Sequence, residues 1–83
     1  MHKWYIIEPS EAVMPLTKSV LVQERNGKIY EVYVEGLDGK CWKSTADNLF
    51  CYGYDVERFK RFCKLNEDMV REVTKEEAFT MML

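Results

Sequence analysis

The sequence predicts an α+β fold: a small antiparallel sheet of three to four strands packed against one amphipathic helix, with a short C-terminal helix beside it. Three observations predict it. Two β-rich runs flank Asn26-Gly27, the pair that best tolerates the positive φ angles of a two-residue hairpin turn. Apolar residues recur at helical spacing behind Asp55, at Val56, Phe59, Phe62 and Cys63. The chain has 83 residues, 47% hydrophobic and 31% charged, a composition that suits one compact domain spanning 1–83 with a thin core.

The elements follow in order. Trp4–Ile7 is aromatic and β-branched and reads as a strand that Pro9 ends. Ser10 caps a short helical turn through Met14, and Pro15 stops it. Ser19–Arg25 and Lys28–Glu35 form the hairpin. Strict alternation then pairs Arg25 with Lys28, Gln23 with Tyr30, Leu21 with Val32 and Ser19 with Val34. One face carries Leu21, Tyr30, Val32 and Val34 and is the expected core. The other carries Val20, Val22, Ile29 and Tyr33 beside Glu24, Glu31 and Glu35, which is more apolar than a solvated face requires.

Asp38-Gly39 leads into a further strand, Lys40–Ser44. A two-residue loop places Trp42 opposite Glu35; a three-residue loop with Gly39 left-handed places it opposite Val34, in the expected core. The second register is favoured because it buries the indole and points Lys43 outward. Ser44 and Asp47 suggest a capped helical turn over Ser44–Phe50. The helix from Asp55 ends near Leu65-Asn66, with asparagine suited to a left-handed cap. Met69–Val73 then reads as a short strand, with continuation of the same helix to Val73 as the alternative, and Thr74-Lys75-Glu76-Glu77 as a capping box opening the last helix. A strong curl would close the sheet toward an SH3-like barrel, and strand lengths leave that open.

Composition narrows function mainly by exclusion. Twelve basic and 14 acidic residues give a net charge of −2, which argues against sequence-independent nucleic-acid binding. The one histidine, His2, sits beside a terminus, where a catalytic base is poorly held. No Gly-rich phosphate loop is present. Cys41, Cys51 and Cys63 lack the close pairing of structural zinc ligands. They are expected to be reduced thiols in a cytoplasmic protein, with Cys63 and Cys51 buried and Cys41 facing outward. No enzymatic activity, cofactor, metal or membrane association is expected.

Binding of another protein is the function class that survives best. Its candidate residues are Val20, Val22 and Tyr33 on the half-apolar hairpin face, and Met81, Met82 and Leu83 at the C-terminal end. The bland alternative is that the last helix covers that face. A second reading is a single-stranded nucleic-acid or nucleotide module that stacks bases on Trp4 and Trp42 beside Lys40 and Lys43. A third is a structural domain acting as a homodimer. In size and α+β layout the chain resembles small phage and mobile-element accessory proteins, including anti-CRISPR inhibitors of host defence complexes. No motif carries that likeness, so it transfers no site residue.

Overall fold

The computed structural model describes residues 2–44 and 48–83. Its element order is β1 (Lys3–Ile7), β2 (Thr17–Arg25), β3 (Lys28–Gly36), β4 (Cys41–Lys43), α1 (Val56–Leu65), β5 (Val70–Val73) and α2 (Lys75–Met81). The strands form one antiparallel sheet in the order β4-β3-β2-β1-β5. This is five strands rather than three to four. The segment expected as either a short strand or a continued helix is the strand β5, which pairs with β1 through Trp4–Val73 and Ile7–Val70. β4 and β5 stand at opposite edges of this open sheet and do not meet, so it is not a closed barrel.

The two helices lie on opposite faces. Phe59 and Phe62 of α1 pack with Ile7, Val20, Val22, Ile29 and Val34. Ala78 of α2 packs with Trp4, Ile6, Leu21 and Val73. Both faces of the hairpin are therefore covered, which explains why both are apolar. The expected assignment of core and outer face is corrected: the face of Val20, Val22 and Ile29 is the larger core. Val22 and Ile29 are completely buried there. Leu21 is equally buried, but beneath α2.

The turn forms as expected, with Asn26 at φ 50° and Gly27 at φ 78°. From there the ladder runs Arg25–Lys28, Glu24–Ile29, Gln23–Tyr30 and Val22–Glu31. It then slips. Leu21 pairs with Tyr33 instead of Val32, and Val20 pairs with Val34. Val32 is the extra residue of a β-bulge, and beyond it every β3 side chain changes face. Val34 thus joins the α1 core, and Tyr33 turns to the α2 face. Tyr30 stays half-buried under the Arg25 guanidinium, which lies 3.9 Å from its ring centre.

α1 is tied to the hairpin tip. The Val56 amide donates to the Gly27 carbonyl, and the Ile29 amide to that of Tyr54. Asp55 caps the helix, its carboxylate accepting from the Arg58 amide at 2.9 Å. Gly53 lies where an added methyl group would stand 3.0 Å from the Phe59 backbone, so a larger residue would force the loop or the helix to give by a few tenths of an ångström. Phe50, fully buried, meets Phe59 and Phe62 edge-to-face. Asn66 ends the helix as expected, though with φ −133° rather than a left-handed turn. Its side-chain amide donates instead to the Phe62 carbonyl. Thr74 caps α2 by accepting from the Glu77 amide. The expected turn at Ser44–Phe50 falls partly outside the described residues; Leu49 forms an isolated bridge with Tyr30.

Candidate functional site

Most residues expected to meet a partner turn inward. Val20 and Val22 are core residues beneath α1, 2% and 0% exposed. Tyr33, Met81 and Met82 are half-buried against the Trp4–Leu21 cluster. Leu83 alone is fully exposed. These six residues form no common surface. The alternative that a helix covers the half-apolar face holds, but the helix is α1, and α2 covers the opposite face of Leu21.

The nucleic-acid alternative loses its platform. Trp4 is 8% exposed, under α2. Trp42 lies three strands away, about 14 Å at the usual strand spacing, and on the other face. Lys40 and Lys43 are exposed near Trp42, without a second aromatic from Trp4. Among the described residues no cluster of His, Cys, Asp or Glu is placed to hold a metal. Cys63 is half-buried, while Cys41 and Cys51 are both exposed. Cys51 is thus not the buried neighbour of Phe50 that the sequence suggested.

A different surface stands out, and it is centred on Trp42. The three-residue loop forms as expected: Gly39 takes φ 84° and Trp42 pairs with Val34. Yet Trp42 remains 52% exposed. β4 is an edge strand, so the indole has a strand neighbour on one side only. Its ring is a wall shared by two hollows. One, of about 220 Å³, is lined by Leu16, Gly36, Leu37 and Asp38. The other, of about 240 Å³, is lined by Met14, Val34, Cys51, Tyr52 and Glu31 among others.

Leu16 and Leu37 are 78% and 55% exposed. Leu16 also sits at φ 63°, a left-handed conformation that costs a side-chain-bearing residue about 1–2 kcal/mol. The fold gains little burial from that leucine in return. The Leu37 amide donates to the Leu16 carbonyl, joining the turn before β2 to the loop before β4. Both leucines lie within turn sequences, Pro15-Leu16-Thr17 and Gly36-Leu37-Asp38-Gly39. Apolar residues among turn formers were the sequence signal for this surface.

Electrostatics distinguish the second hollow. Glu31 is half-buried, and its carboxylate makes no hydrogen bond or ion pair with the described residues. Burial pushes its carboxyl above the ordinary value. The Cys51 thiol is also pushed up, by burial first and by Glu31 second, so it stays protonated at neutral pH and is a poor nucleophile. The described residues that line this hollow offer apolar contact area, two aromatic rings and one carboxylate with no cation among them. No protein-family model, curated protein or solved structure matches this chain.

Proposed function

We propose that this protein is a non-enzymatic binding protein that docks another protein on the surface formed by Leu16, Leu37, Trp42 and Tyr52. The observation that carries the reading is the exposed Leu16 held at positive φ. Strain and exposure together are a cost to the fold, and such costs concentrate at functional sites. Tryptophan and tyrosine are the side chains that most often anchor protein interfaces, and here both line one hollow.

Docking by added strand pairing is the weaker mode for this surface. β4 is three residues long and ends in Lys43, and short, lysine-bearing edge strands resist edge-to-edge pairing. Homodimerisation through the same patch is also weaker. A two-fold dimer would set the patch against itself, and the second copy would bring another Glu31 carboxylate to the hollow rather than a cation. An inhibitor or adaptor that inserts side chains of a larger partner into the two hollows fits better.

The test is capture from a lysate of the native host by the immobilised chain, with Trp42→Ala and Leu65→Ser run in parallel. Leu65 is 84% exposed at the far end of α1 and serves as a control. Stoichiometric capture that Trp42→Ala abolishes and Leu65→Ser leaves intact supports the reading. Capture insensitive to Trp42→Ala contradicts it.

A further inference from the structure

We infer that the hollow between Trp42 and Tyr52 receives a cationic side chain, an arginine or lysine of the docked protein, with the Glu31 carboxylate as its counter-charge. This rests on the protein-docking reading above and specifies the chemistry of the partner.

The β-bulge at Val32 makes the arrangement. With strict alternation Glu31 would share a face with Tyr33 and Glu35, and Trp42, opposite Val34, would lie on the other face. The extra residue brings Glu31 and Val34 to the same face, and Trp42 follows its partner Val34. Bulges commonly re-aim side chains beside functional sites. Here the bulge sets a carboxylate beside two half-exposed aromatic rings, 52% and 45% exposed for Trp42 and Tyr52.

Among the described residues no lysine, arginine or histidine lines this hollow. Among the described residues four acids sit in exposed or half-exposed ion pairs, Glu35 with Lys18, Asp55 with Arg58, Glu57 with Lys60 and Glu77 with Arg71; Glu31 is in none of them although it is half-buried. An unpaired carboxylate partly withdrawn from water carries a desolvation cost, which an incoming cation would offset. The aromatic faces add attraction for the same group. At about 240 Å³ the space suits one side chain and falls below the usual range for a small-molecule site. A divalent ion is a poor occupant, because it requires several oxygen ligands and Glu31 is the only carboxylate among the described residues of the lining.

The experiment pans a display library of random short peptides on the full chain. It then measures the enriched peptides by fluorescence polarisation against wild type, Glu31→Gln and Trp42→Ala. Enriched sequences are expected to carry arginine or lysine beside an apolar residue. Their affinity should fall about tenfold on Glu31→Gln, as loss of a charge-assisted contact does. Replacing the peptide's basic residue by methionine should cause the same loss, with little further effect when both changes are combined. This peptide-side change tests the pairing without altering the protein's fold. Peptides that need Trp42 but ignore Glu31→Gln overturn the cation receptor and leave the docking surface standing. Peptides indifferent to Trp42→Ala, or no enrichment at all, overturn both.

Discussion

The Leu37 amide donates to the Leu16 carbonyl at 3.1 Å. That bond ties the turn before β2 to the loop before β4 and holds two exposed leucines on either side of the hollow that Trp42 walls. One hydrogen bond thereby joins segments 21 residues apart in sequence into one surface, and the predictions concern what that surface costs and what supports it.

Leu16→Gly should not destabilise the protein. Glycine removes left-handed strain of about 1–2 kcal/mol and adds back about 0.5–1 kcal/mol of chain entropy. The side chain lost is 78% exposed, so little burial is forfeited. Urea denaturation should give a midpoint equal to or above wild type, while partner capture weakens. A clear drop in midpoint would show that Leu16 packs in solution.

Val22 and Tyr33 separate docking from folding. On a free docking face, charged residues at both would abolish binding and leave the fold intact. The structure predicts unfolding instead, because Val22 is fully buried under α1 and a charge there has no partner. Phe50→Ala makes the same point by volume, with an expected loss of about 3–5 kcal/mol. Total stability for a chain of this length is on the order of 4–12 kcal/mol, so circular dichroism should report a large loss of native signal on heating or in mild urea.

Gly53→Ala tests the close passage over α1. The new methyl group would meet Phe59 backbone atoms at 3.0 Å, and a helix backbone yields less readily than a flexible side chain. A loss of about 1–3 kcal/mol is expected, read as a lower urea midpoint with an unchanged slope. No change would mean that the loop relaxes away from the helix.

Glu31→Gln should stabilise the protein at neutral pH. Burial raises the folded carboxyl above its ordinary value of 4.5, so the folded state holds this proton more tightly than the unfolded chain does. Ionisation therefore works against folding. The penalty is fully present above the raised folded value and shrinks as pH falls through it. Below 4.5 it is gone, because both states are then protonated. Thermal melts across that range should show the variant's advantage at neutral pH and its disappearance in acid. The same substitution should speed alkylation of Cys51 at neutral pH, since Glu31 helps to hold that thiol protonated.

Much of this fold was legible because local chemistry and tertiary structure agree. Asn26-Gly27 marked the hairpin, Asp55 and Thr74 marked their helices, and Gly39 chose the register of Trp42. The bulge was not legible. Val32, Tyr33 and Val34 are consecutive and apolar, so the pattern reads equally well in either register. That single slip moved Val34 to the other face and brought Glu31 beside Trp42. The candidate surface was hidden for a second reason. Pairing Trp42 with Val34 implied burial, but an edge strand covers an indole from one side only. Leu16 and Leu37 are single apolar residues with no periodicity, and their proximity depends on a contact across 21 residues.

Trp42 itself provides the most direct measurement. In a Trp4→Phe variant the remaining tryptophan fluorescence comes from Trp42, which is 52% exposed, and acrylamide should quench it readily in the free protein. Adding the purified captured partner should protect it, with a clear fall in the quenching constant. If the partner binds and quenching is unchanged, the docking surface lies elsewhere and the account of Leu16, Leu37, Trp42 and Tyr52 is contradicted.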